Sequence, residues 1–143
     1  GKNGRNLAKF VTDFKQKSPE TKIRLMGHSL GAHVILSTIK NLAKNTKNKG
    51  IIEAVYLFGG SIPSDALSAK NASYVQKIVS KKIRNYYSPH DEVLHVVDDW
   101  NWVDTPIGYK GAHGKTIPKY SQTMVKPKNH RFASYAAVLR SFP

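Results

Sequence analysis

Apolar residues recur along this chain in two alternating rhythms. Leu7, Phe10, Val11 and Phe14 fall at i, i+3, i+4 and i+7, which predicts an amphipathic helix over about residues 5–17. Ser18-Pro19 ends it, because a proline disfavours helical backbone in the residue before it. Residues 23–26 form a short apolar run before Gly27 and read as a strand. Helical spacing returns after Gly31 in Val34, Ile35, Ile39, Leu42 and Ala43, and the polar loop 45–50 closes it. Residues 51–58 are β-branched, aromatic and almost uncharged, as a parallel strand buried on both faces should be. Tyr74, Val75, Ile78 and Val79 predict a further helix, and residues 83–87 a further strand. Residues 88–129 keep neither rhythm and are rich in Gly, Pro, Asp and Trp; so long an irregular stretch is usually functional. Phe132, Tyr135, Ala136 and Leu139 predict a closing helix. This alternation is the mark of an α/β domain, a mostly parallel sheet with helices on both faces, spanning residues 1–143.

Composition narrows the chemistry. There is no cysteine among the 143 residues, so disulfides and thiolate metal sites are excluded. No apolar run reaches the roughly 18 residues of a membrane span, and no signal-peptide pattern opens the chain, which leans the reading towards a cytoplasmic or peripheral-membrane protein. Lys and Arg number 23 against 9 Asp and Glu, a formal charge of +14. A field of that sign attracts anionic partners. Lys40, Lys44, Lys47, Lys49, Lys70, Lys77, Lys81 and Lys82 fall around loops and helix ends, so surface solvation is the first reading and an anionic membrane surface the second. Nucleic acid ranks last, because no aromatic residues interleave the lysines.

The segment Gly27-His28-Ser29-Leu30-Gly31 stands where one strand ends and a helix begins. A sharp turn there lifts a serine hydroxyl out of the sheet and forces strained dihedrals on it. Glycines two residues to either side are expected to relieve collisions across the turn. The N–H of Leu30 can then donate to a developing oxyanion. Five residues of this pattern are common by chance, and the flanking strand and helix are what sharpen it.

A serine needs a histidine to take its proton and a carboxylate to orient that histidine. Asp91 lies four residues beyond the strand 83–87, at the strand end where the active groups of parallel sheets gather. Glu92, Asp98, Asp99 and Asp104 are its rivals. Of six histidines, His28 and His33 are too close to Ser29 in sequence to reach back to it, and His90 and His95 crowd Asp91. His130, before the last helix, is the best-placed base, with His113 as its rival.

Several runs recur together here: His28-Ser29-Leu30-Gly31-Ala32, then Tyr56-Leu57-Phe58-Gly59-Gly60-Ser61-Ile62-Pro63-Ser64-Asp65, then Asn85-Tyr86-Tyr87-Ser88 with Asp91 and Leu94, and last His130 with Tyr135. In this order they resemble the uncharacterised α/β-hydrolase family that includes the eukaryotic transmembrane and coiled-coil domain proteins. The resemblance spans about residues 5–140. It implies a lipase-like or esterase-like α/β-hydrolase fold, with Ser29 as nucleophile, Asp91 as acid and His130 as base, and with no metal or cofactor. It also leaves Asp65, on the rim after the strand 51–58, as an alternative acid. The chain departs from that family in having no membrane-spanning segment.

About 22 residues precede Ile23, too few for the earlier strands of a full hydrolase or for the loop that donates a second oxyanion N–H. The expectation is therefore a domain truncated at its N-terminus, the C-terminal catalytic portion of such a hydrolase. A single donor would cost about 3 kcal/mol in the barrier. The leading functional reading is hydrolysis of a carboxylic ester, lipid-like, with Trp100, Trp102, Tyr109 and Ile117 walling an acyl pocket. A thioesterase or amidase would use the same residues. The alternative of a different class is a non-catalytic module that binds a protein partner or an anionic membrane.

Overall fold

Four strands pair in parallel, in the order β1-β2-β3-β4, in the computed structural model, which describes residues 1–95, 105–139 and 142. They are β1 (Arg24–His28), β2 (Ile52–Phe58), β3 (Val79–Tyr87) and β4 (Tyr120–Met124). Around them lie α1 (Lys2–Lys17), α2 (Gly31–Leu42), α3 (Ser73–Ile78), α4 (Glu92–His95), α5 (Ile107–Lys110) and α6 (Phe132–Ala137). Every residue of β2 is buried, as its unbroken apolar run requires.

Strand order decides where the helices go. A sheet that grows steadily in one direction through right-handed crossovers puts its connecting helices on one face. Val11 of α1, Ile35, Ile39 and Leu42 of α2, and Val75 and Ile78 of α3 accordingly share one core with Val55, Leu57 and Ile83. The opposite face carries Ala54, Tyr56, Phe58 and Tyr86, and Tyr135 of the short α6 covers it. Helices thus flank both faces of the sheet, unequally.

Register levels the strand ends. His28 stands opposite Phe58, Phe58 opposite Tyr86, and Tyr86 opposite Thr123. The residues that follow each strand, Ser29, Gly59 and Ser88 among them, therefore emerge along one edge.

Four expectations change. The α1 stripe is rotated: Gly4, Ala8 and Val11 are buried, while Phe10 and Phe14 are exposed and stack on each other with ring centroids 6.1 Å apart. Small residues face α2 because two helices approach closely only where side chains are short. β3 begins at Val79, four residues before the expected start, and takes a residue assigned by its spacing to a helix. β4 lies in the stretch expected to be irregular; as a polar edge strand with no fully buried residue, it lacks the continuous apolar run that marks β2. α6 ends at Ala137, short of Leu139.

The stretch beyond β3 is also better fastened than its composition implies. Ile107 N–H donates to the Ile62 carbonyl at 2.8 Å, Gly108 to Gly60 at 2.9 Å and Ile117 to Leu67 at 3.1 Å. Ile107 and Ile117 sit in the main core, so Ile117 walls no acyl pocket. The Tyr109 hydroxyl is held by His95 Nδ1 at 2.5 Å. Trp100 and Trp102, with Asp98, Asp99 and Asp104, lie outside the described residues.

Gly108 sits where this segment crosses the loop after β2. A Cβ there would stand 2.2 Å from Gly60 N and 2.4 Å from the Gly59 carbonyl carbon, both backbone atoms that cannot swing aside. Gly108→Ala is expected to destabilise the chain by about 3 kcal/mol or more. Urea denaturation checks this, and a variant with an unchanged midpoint would refute the crossing.

Candidate active site

The site begins with the backbone of one residue. Ser29 has φ 55°, the left-handed region, and it is the one non-glycine residue with positive φ among those described. That conformation costs an L-residue on the order of 1–2 kcal/mol, so neighbours must hold it. Ser29 N–H donates to the Phe58 carbonyl at 3.1 Å, which carries the sheet ladder one residue past β1. The Ser29 carbonyl accepts from Ser61 N–H and from Ser61 Oγ, each at 3.2 Å. Leu30 follows as the N-cap of α2, its side chain 72% exposed. Its N–H bonds to no acceptor among the described residues, so it is free to donate at the place expected of it.

Opposite the serine stands His130. Its Nε2 lies 2.8 Å from Ser29 Oγ, and its Nδ1 is hydrogen-bonded to Asp91 Oδ2. Asn129 Oδ1 sets the ring's approach by capping the start of α6, accepting from Arg131 N–H at 2.9 Å and from Ser134 Oγ at 2.7 Å. A carboxylate oxygen accepts, so Nδ1 carries the ring proton and Nε2 is left to accept the serine hydroxyl.

Asp91 is buried and fully engaged. Oδ2 also accepts from the Tyr135 hydroxyl at 2.5 Å, while Oδ1 accepts from the N–H groups of Val93 and Leu94, each at 3.1 Å. The last two bonds make Asp91 the cap of α4, and the cap aims the carboxylate. Burial, and then the Asp91 carboxylate, push the Tyr135 phenol well above its ordinary value, so it stays a donor through the working pH range.

Two members of this arrangement lie beyond the sequence reading. His28, set aside as too close to Ser29, reaches the base instead: its ring centroid is 4.7 Å from that of His130, and its Nε2–H donates to the His130 carbonyl. Burial holds the His28 imidazole below its ordinary value, which favours the neutral ring that this contact uses. Tyr135, known in advance only through the resemblance, proves to be a direct partner of the acid. No sequence signal finds His28's contact, because it joins residues 102 apart.

The rivals lie elsewhere. The Asp65 carboxylate meets Asn71 Nδ2 at 3.3 Å, not a histidine. The exposed His113 has its backbone N–H on the Ser64 carbonyl at 3.0 Å. His33 and His90 are exposed, and Glu92 points outward from α4. Among the described residues, no group of three or more His, Asp or Glu side chains gathers as a metal site would require.

The turn glycines prove unequal. A Cβ on Gly27 would meet Ile35 Cδ1 at 2.6 Å and the Gly31 carbonyl oxygen at 3.0 Å, whereas a Cβ on Gly31 has nothing within 4 Å. The expectation that both relieve collisions is thus corrected at Gly31, which opens α2 and faces free space. Gly27→Ala should cost about 1–3 kcal/mol. Gly31→Ala should stabilise by about 0.4–1 kcal/mol, by removing freedom from the unfolded chain. Thermal melts of the two variants check the pair, and equal losses would contradict this account of the turn.

Comparisons with known proteins give the chain relatives. It is 30% identical to a transmembrane and coiled-coil domain-containing protein of Oryza sativa subsp. japonica over 95 residues, 66% of this chain and 14% of that protein. It is 38% identical to an uncharacterized membrane protein of Caenorhabditis elegans over 72 residues, 50% of this chain and 11% of that protein. The chain therefore spans only a small part of the curated relatives it matches. No solved structure matches it significantly. Residues 1–105 match a family model, a stretch that takes in Ser29 and Asp91 and stops before His130. On that match, the chain belongs to the family described as "Protein of unknown function (DUF726)".

Proposed function

We propose that this chain is the catalytic portion of a serine hydrolase of α/β-hydrolase fold that cleaves carboxylic esters of lipid-like substrates. The observation that carries the reading is the unbroken chain Ser29–His130–Asp91, mounted on a positive-φ turn at the carboxyl edge of a parallel sheet. A serine that only capped a helix would need neither the strain nor the histidine. The curated relatives are named as transmembrane or membrane proteins, which supports a lipid-like substrate.

In this reading Ser29 Oγ attacks the acyl carbonyl while His130 Nε2 takes its proton. The oxyanion forms beside Leu30 N–H. His130 then delivers the proton to the leaving alkoxide, and the acyl group rests on Ser29. Water, deprotonated by His130, attacks the acyl-enzyme, and the acid leaves with Ser29 restored. Asp91 stays a carboxylate throughout and holds the imidazole tautomer. Tyr135 and the α4 N–H groups keep Asp91 in place, and His28 holds the backbone of the base. Thioesters and amides would pass through the same steps.

Two experiments test the proposal. A fluorophosphonate should label the protein on Ser29, and Ser29→Ala should abolish both labelling and ester hydrolysis by a factor on the order of 10⁴ or more. The same change should move stability by less than about 1 kcal/mol, since it removes a part-exposed hydroxyl and adds no bulk. An unlabelled wild-type chain would favour a binding module built on the same fold. The second experiment separates the acids: Asp91→Asn should lower hydrolysis on the order of 10⁴-fold through the wrong imidazole tautomer, while Asp65→Asn should leave it near the parent rate. The reverse order in a chromogenic-ester assay would move the acid to Asp65.

A further inference from the structure

We infer that the mouth of the site docks on an anionic lipid surface, so that the ester is drawn from a membrane or lipid aggregate. The source of the substrate rests on the hydrolase reading above; the docking itself does not.

The first support is where apolar surface lies. Of the large hydrophobic side chains left exposed among the described residues, Leu30, Val93 and Phe132 lie within two residues of Ser29, Asp91 and His130, with exposures of 72%, 56% and 42%. Met124, 52% exposed, ends β4 at the same edge of the sheet. A cleft for a water-soluble ester draws such groups inward against its ligand. Here they point out around the nucleophile, where only an apolar phase would cover them.

Charge supplies the second support. From Thr105 to the C-terminus the sequence has seven Lys and Arg and no Asp or Glu. Lys126, Lys128 and Arg131 stand exposed on the segment that carries His130, beside Phe132. Cations next to exposed apolar side chains are what an interfacial surface presents to acidic headgroups. Glu92 is the acidic side chain described at this edge, and it is outnumbered. No helix among the described residues is long and apolar enough to cross a bilayer, so the contact inferred is peripheral.

The test uses the Ser29→Ala chain, so that turnover plays no part in binding. Sedimentation with phosphatidylcholine vesicles, with and without phosphatidylserine, should show binding to the phosphatidylserine vesicles alone, and high salt should weaken it. Neutralising Lys126, Lys128 and Arg131 together to Gln should weaken partition about a hundredfold, as three lysine-type contacts to an anionic leaflet are worth. With Ser29 restored, that triple variant should hydrolyse a soluble short-chain ester at the parent rate and lose activity only on esters embedded in phosphatidylserine vesicles. Val93→Ser with Phe132→Ser should weaken vesicle binding while leaving its salt dependence. No binding to phosphatidylserine vesicles, equal binding to both vesicle types, or unchanged binding by the triple variant would overturn the inference. Binding to RNA in place of vesicles would overturn it too. Vesicle binding without hydrolysis of the soluble ester would sink the enzyme reading and leave docking in place; hydrolysis without vesicle binding would do the reverse.

Discussion

The Asp91 carboxylate ties the carboxyl edge of the sheet together. It leaves β3, caps α4 with one oxygen, and with the other accepts from His130 and from Tyr135. Those four bonds come from two parts of the chain about forty residues apart. A buried carboxylate is tolerated only when its oxygens are satisfied. The end of β3, the start of α4, the loop before α6 and the inner face of α6 are therefore held to one geometry. Without α6 in place, His130 would have neither its orienting partner nor the backbone contact from His28.

The second constraint is the sheet. Parallel register brings the ends of β1, β2 and β3 level, and this puts Ser29, the loop at Gly59–Ser61 and Asp91 within reach of one another. Ser29 N–H extends the ladder to the Phe58 carbonyl, and Ser61 holds the Ser29 carbonyl from the other side. The left-handed serine is thus fixed from both sides by the neighbouring strand. Stepwise growth of the sheet places α1, α2 and α3 on one face and leaves the other to α6 and the chain beyond it. The proposed active site lies over that more lightly covered face, next to Phe58 and Phe132, whose rings meet edge to face at 5.3 Å.

Much of this was legible in the residue pattern. The apolar runs before Gly27 and over 51–58, and the helical spacing after Gly31, mark β1, β2 and α2 because buried elements must carry their hydrophobic side chains at the period of their own backbone. The turn at Ser29 could be read because local geometry demands small residues near it, although Gly27 alone does the steric work. Asp91 and His130 could be placed by topology, since strand ends and the last helix converge on one edge. The exposed Phe10 and Phe14 could not be foreseen, for periodicity shows that a helix has an apolar stripe but not how closely its neighbour will approach.

The sequence by itself determined the class of fold, the parallel order of strand and helix, and three residues able to form a serine–histidine–aspartate chain. Those follow from local rules: period, turn chemistry and chain order. Only the tertiary structure decided which carboxylate meets His130, that Tyr135 and His28 brace the pair, that β4 joins the sheet, and that Ile117 belongs to the core. Each of these rests on contacts between residues far apart in the chain. Such contacts depend on how elements pack, and packing is set by the shapes of both partners together, which no single segment encodes.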